Sequence, residues 1–123
     1  MKFEDLILKA LDVIQTELQG YIIKTELDLD AGRLKFTLKN RIIIFIRYNN
    51  FQQYSYVIQF SLKQDDRVRF DNFDARWNVN SSPHHCHPRF RRDGIESNFS
   101  GNPESDLPVL CKIIKNKEIF KIK

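Results

Sequence analysis

The chain has 123 residues, with 20 Lys and Arg against 16 Asp and Glu, a net charge of +4 and a pI near 9.1. This length suits one domain, 1–123, that folds around its own core without a metal or disulfide, and 41% apolar residues with 29% charged ones exclude a disordered chain. The longest apolar run, Ile42 to Ile46, is too short to cross a bilayer, and Met1-Lys2-Phe3-Glu4-Asp5 carries acids where a secretory leader needs bases, so a cytoplasmic protein without membrane contact is expected.

Residues 3 to 19 predict an amphipathic helix within segment 1–20, since Phe3, Leu6, Ile7, Ala10, Val13, Ile14 and Leu18 recur at helical spacing. Glu4 and Asp5 fall in its first turn, where the helix dipole favours acids, and Gly20 is placed to stop it. Segment 21–70 then reads as strands. Tyr21 to Asp28 opens the series, and Asp30-Ala31-Gly32 is a turn. Leu34, Phe36 and Leu38 alternate with polar residues. Arg41 to Tyr48 follows, apolar on both faces at Ile42 to Ile46 as in a central strand. Tyr54, Tyr56, Ile58, Phe60 and Leu62 alternate again, and Arg67 to Phe70 returns as a short strand. The short connections predict an antiparallel meander of about five strands.

Periodicity stops over 71–101, a long loop that contains all the histidines, and such loops are usually functional or disordered. Segment 102–123 resumes with a helix through Val109, Leu110, Ile113 and Ile114, capped by Ser105 or Asp106 with Pro108 in the first turn. The tail from Glu118 to Lys123 reads as a last strand or a frayed end. The fold class is therefore α+β: an N-terminal helix, an antiparallel β-meander, a long His-rich loop and a C-terminal helix.

His84, His85 and His87 are the chain's only histidines and are interleaved with Cys86. Histidine titrates near neutral pH and also ligates transition metals. In one reading they move protons. Cleavage of RNA needs a base for the ribose 2′-OH, an acid for the leaving oxygen and cations around the phosphate. His-x-His spacing puts His85 and His87 on one strand face. Arg69 would steady the phosphate and Asp71 would orient its partners. Arg47, Arg76, Arg89 and Arg91 would bind the RNA backbone, and Tyr56 would stack a base or assist the proton transfer. No cofactor is needed for this chemistry. In a second reading, Zn²⁺ or another divalent metal sits on His85, His87 and Asp71, although no zinc-ligand motif is present. In a third, the loop is only a solvated turn. Trp77 reads as a core anchor ahead of a stacking platform. Cys86 and Cys111 read as reduced thiols.

Arg69-Phe70-Asp71-Asn72 followed by Pro83-His84-His85-Cys86-His87 resembles the TumE-type toxin family. Its members are small α+β toxins encoded beside a helix-turn-helix antitoxin. They have a β-rich half with aromatic strands, an Arg-aromatic-Asp-Asn end, a His-His-x-His element and a C-terminal helical segment. The resemblance spans residues 20 to 115. The chain departs from the pattern where relatives carry a His soon after the Asp-Asn, because Phe73-Asp74-Ala75-Arg76-Trp77 stands there, and Arg91 to Gly101 reads as extra loop. The resemblance implies a growth-inhibiting toxin of a toxin–antitoxin pair that attacks RNA, and it carries over onto Arg69, Asp71, His84, His85 and His87. It also implies a cognate antitoxin whose acidic surface covers the basic loop.

The combined expectation is a metal-independent endoribonuclease toxin with His85 and His87 as acid–base pair. The rival classes are a non-catalytic nucleic-acid- or protein-binding module and a metal-dependent nuclease or phosphotransferase. A homodimer is left open.

Overall fold

Helix α1 spans Phe3–Glu17 and buries Ile7, Ala10 and Ile14, one stripe at the spacing of a helix face, with Leu18 continuing it just beyond. The structure is a computed structural model and describes residues 2–122. After α1 the chain turns at Gly20, whose φ of +87° suits glycine, and lays down β1 (Ile22–Asp28), β2 (Arg33–Leu38), β3 (Ile43–Tyr48), β4 (Tyr54–Gln59), β5 (Arg67–Asp71), β6 (His85–His87) and β7 (Ile95–Glu96). These form one antiparallel sheet in chain order, β1 to β7. Helix α2 (Pro103–Lys115) follows and packs on α1, and a 3₁₀ turn at Glu118–Lys121 closes the described chain.

Alternation divides the sheet into two faces. Leu34, Phe36 and Leu38 of β2 point to the same side as Ile44, Ile46 and Tyr48 of β3, Tyr54, Tyr56 and Ile58 of β4, Val68 and Phe70 of β5 and Cys86 of β6. They meet α1 and α2 in a continuous core with Leu107, Leu110, Cys111 and Ile114. Among the described residues, no helix packs on the other face. At the entry to β2, Gly32 is required: at its φ of +65°, a Cβ would stand 2.2 Å from the Tyr48 carbonyl oxygen.

The α+β class and the meander agree with the sequence, but the meander is longer than five strands. Two short strands, β6 and β7, lie inside the long loop and extend the sheet to seven. Strand β3 is central yet covered on one side only: Ile44 and Ile46 are buried while Phe45 is 38% exposed. Strand β4 ends at Gln59, leaving Leu62 in solvent. The cap of α2 is Asn102, which accepts a hydrogen bond from the Glu104 N–H, with Pro103 at the first helical position. Asp106, the expected cap, is drawn inward, where it accepts from Ser100 N, Gly101 N and the Tyr56 hydroxyl. The tail, expected as a last strand or a frayed end, is instead a 3₁₀ turn that buries Ile119; Lys123 lies outside the described residues.

Candidate active site on the helix-free sheet face

Strand register assembles the site. Arg47, Ser55, Asp71 and His85 are successive cross-strand partners from β3 to β6, and Phe45, Val57, Arg69 and His87 form the adjacent row. Both rows alternate with core positions and so lie on the helix-free face. Asp71 and His85 are thereby neighbours, as are Arg69 and His87.

His85 is 1% exposed, and both of its ring nitrogens are engaged. Nδ1 lies 2.8 Å from the Pro83 carbonyl oxygen, and Nε2 lies 3.0 Å from Asp71 Oδ1. A carbonyl only accepts, so Nδ1 carries a hydrogen. Nε2 then faces a second acceptor, the carboxylate. A proton or a metal ion between the two acceptors removes their repulsion.

Arg69 helps decide between these. Its Nε lies 2.6 Å from Asp71 Oδ2, and neither of those atoms makes a well-directed hydrogen bond, so the contact is Coulombic. A guanidinium fixed on the same carboxylate opposes a second cation by roughly 4 kcal/mol per unit charge at about 4 Å near a protein surface. A single proton adds the least charge to this crowded carboxylate. The donor set also has the chemistry of a metal site: the ligating atoms of Asp71, His85 and His87 lie within 4.8 Å of one another. Both imidazoles place Nδ1 on a backbone carbonyl, the arrangement that orients metal-binding histidines.

His87 is the more accessible of the two histidines at Asp71. Its Nδ1 lies 3.2 Å from the Asp93 carbonyl oxygen, which accepts from it, and its Nε2 is 3.8 Å from Asp71 Oδ2. Burial lowers its pKa below the usual imidazole range; the Asp71 charge opposes this and the neighbouring His85 adds to it. The neutral ring offers Nε2 as a base at the edge of an open cleft. The cleft, about 760 Å³, lies in the size range of small-ligand sites, and Arg67, Arg69, Arg76, Arg91 and Arg92 contribute to its wall.

The expected residues fall into separate places. Arg69, Asp71, His85 and His87 converge. Arg76 and Arg91 line the same cleft, Arg76 with its Nε 3.1 Å from Asp74 and Arg91 with its Nε 3.0 Å from Asp93. Arg47 is exposed in the Asp71 row, beyond Ser55. His84 lies apart, in a second pocket, with Nδ1 2.9 Å from the Tyr54 hydroxyl and its ring stacked on Tyr54. Tyr56 is fully buried, and its hydroxyl lies 2.8 Å from both the Tyr48 hydroxyl and Asp106, so it cannot stack a base. Burial also raises its pKa and that of Tyr48 beyond the usual tyrosine range.

Arg89 is likewise withdrawn from substrate. It donates from Nε to Asp66 Oδ1 at 2.8 Å and lies against the Phe60 ring at 4.4 Å. Burial pulls the Asp66 carboxyl up, but the Ser61 hydroxyl and Arg89 outweigh it and hold the group below the usual carboxylate value. Cys86 and Cys111 are free thiols, both buried. Burial, with Asp71 adding to it, pushes Cys86 up to about 12, which removes it as a nucleophile near neutral pH.

Trp77 is not a core anchor. It is half-buried and walls the site, with ring centroids 5.1 Å from His87 and 5.8 Å from His85, while the Arg76 guanidinium covers it at 4.7 Å. Gly94 makes room for this indole: a Cβ there would lie 3.0 Å from two of its atoms. Sequence reasoning missed Gly94 and also Phe73, whose ring lies 5.7 Å from the Arg69 guanidinium. Only a glycine close to the histidines hinted at the first.

An antiparallel sheet backed by helices on one face, with a His–Asp–Arg cluster on the other, defines a small α+β protein equipped to receive protons and anionic groups. The model of the family Toxin TumE matches residues 4–118, nearly the whole chain, and the chain belongs to that family. The match includes α1, which lies outside the resemblance over residues 20 to 115. Membership makes the protein the toxin of a toxin–antitoxin system, with an antitoxin as its partner. No curated protein and no solved structure matches the chain. Among the described residues, no helix is long and apolar enough to cross a membrane.

Proposed function

We propose that this toxin is a cytoplasmic endoribonuclease whose general base is His87. The observation that carries the reading is the unequal pair of histidines around one carboxylate. His85 is buried and spends both nitrogens on Pro83 and Asp71, whereas His87, which lines the cation-rich cleft, keeps Nε2 3.8 Å from Asp71 Oδ2 and outside hydrogen-bond reach of it. His87 takes the proton of a ribose 2′-OH, the freed oxygen attacks the adjacent phosphorus, and the bond to the 5′ oxygen breaks. Solvent in the open cleft protonates the leaving oxygen. Arg69, 33% exposed in its side chain, neutralises the phosphate. His85 is a positioning residue, because it holds Asp71 in place and does not reach substrate. The expected acid–base pair is thus reduced to one base and its support.

The backbone carbonyls on both Nδ1 atoms favour one other reading, a divalent metal on Asp71, His85 and His87 that activates water. Incubation of the purified toxin with total RNA, with and without EDTA, separates the two. The proton reading expects cleavage unchanged by EDTA. Cleavage lost in EDTA and restored by Zn²⁺ or Mn²⁺ would replace it with the metal reading, and no cleavage under any condition would remove both.

A further inference from the structure

The cluster sits at one end of a longer feature. The row that contains Arg69 and His87 continues through Val57 and Phe45 to Lys35 of β2. Arg33 and Arg47 stand in the adjacent row, next to one another across β2 and β3, and Arg67 lies one position further along β5 from Arg69 on the same face. From β2 to β5 this face therefore carries Arg33, Lys35, Arg47, Arg67 and Arg69 against one carboxylate, the buried and paired Asp71, while the edge strand β1 sets Asp28 opposite Arg33 and Glu26 opposite Lys35, 3.8 Å from its ammonium. Its most prominent apolar group is Phe45, 38% exposed, with the Lys35 ammonium 5.7 Å from its ring centroid.

Phe45 presents a partly exposed aromatic face, with the half-buried Val57 and Ile43 beside it and the cations Lys35 and Arg47 flanking it. That combination fits a chain with flat apolar faces and a regular negative charge. A folded duplex keeps its base faces stacked inside, so only a single strand can lay a base on Phe45. Neighbouring strands are about 4.8 Å apart, which puts Phe45 roughly 10 Å from Arg69 along the row. A short stretch of single strand covers that distance.

We infer that the helix-free face over β2, β3 and β4 is the substrate track of the toxin: it binds single-stranded RNA, with a base stacked on Phe45 and phosphates on Arg33, Lys35, Arg47 and Arg67, and delivers the next phosphate to Arg69 and His87. This rests on the ribonuclease reading for its direction, but its binding claim stands by itself. An antitoxin with an acidic surface is the other polyanion that would suit a basic face. Continuity of the row with the phosphate-binding end favours RNA.

The test uses full-length His87→Ala as a non-cleaving background and fluorescein-labelled RNA of mixed sequence, read by anisotropy over a salt series. Single-stranded RNA should bind more tightly than the same sequence as a duplex. Phe45→Ala should weaken single-strand binding about tenfold, the usual loss of one base–aromatic stack, with little change in salt dependence. Lys35→Ala and Arg47→Ala should each lower the slope of log affinity against log salt by about 0.7. Circular dichroism should show all three folded, since these side chains are outside the core. Unchanged RNA affinity in the three variants would overturn the track, as would variants that lose only antitoxin binding. If instead the track variants weaken binding while His87→Ala still cleaves, the track stands and the assignment of the base fails.

Discussion

The two histidines on β6 have the same partners in kind and different work. Asp71 is a buried carboxylate held by the Arg69 guanidinium and by His85 Nε2, and removing one partner of a buried charge pair leaves the other stranded at a cost of about 3–5 kcal/mol. Asp71→Asn should therefore lower the unfolding free energy by that order in urea titration, well beyond the loss from a surface change. His87 gives a pH signature. Its folded-state pKa is lowered, first by burial, so its base form persists as pH falls through the ordinary imidazole value. Cleavage rate against pH should keep its plateau down to below 6.5, the usual value, and fall only under it. The sign for stability is the same: the unfolded chain takes up the proton before the folded one, so the contribution of His87 to stability is lost as pH falls below that value. An acid limb above 6.5 would contradict this placement of His87. Much at this scale was legible. Crowded histidines beside an Arg and an Asp pointed to residues that the fold does bring together, but whether a polar side chain is sealed depends on what folds over it. Tyr56 and Arg89 look like surface groups in the sequence and are consumed by Asp106 and Asp66.

The elements explain which patterns could be read. Helix α1 and strands β2 and β4 each bury a regular stripe, so period and element match. Strands β6 and β7 have three and two residues, too few for any period, and exist because β5 offers them an edge. Strand β3 misled in the opposite way: apolar residues on both sides suggested two covered faces, while Phe45 and its row remain open. The α2 cap was displaced because Asp106 serves the loop before the helix and Tyr56 behind it. Loop packing supplies a prediction here. Gly94→Val adds bulk where a single Cβ already comes within 3.0 Å of Trp77. The indole must shift from His87, so cleavage should fall while the urea midpoint changes by little. A variant as active as wild type would show that Trp77 does not wall the working site. Within the core, Ile44→Ala empties a fully buried position and should cost about 2–5 kcal/mol, read from the same titration.

On the scale of the whole molecule, the helices of the described residues lie on one face of the sheet, and the candidate site lies on the other. Such a division gives a stable half, where Tyr48, Tyr54 and Tyr56 pack beneath α1 and α2, and an open half that can take a polymer. No linear reading brings Arg47 or Phe45 into line with His85 and His87, because only cross-strand register joins them. The same geometry separates His84 from its neighbours in sequence and places it in the pocket beside Tyr54. That separation supports the most direct test of the account: cleavage of one RNA by His87→Ala and His84→Ala, side by side, with folding checked for both. The account predicts a loss of roughly 10²- to 10⁴-fold for His87→Ala, the usual contribution of a general base, and near wild-type cleavage for His84→Ala. Equal activity in the two variants, or a loss confined to His84→Ala, would contradict it.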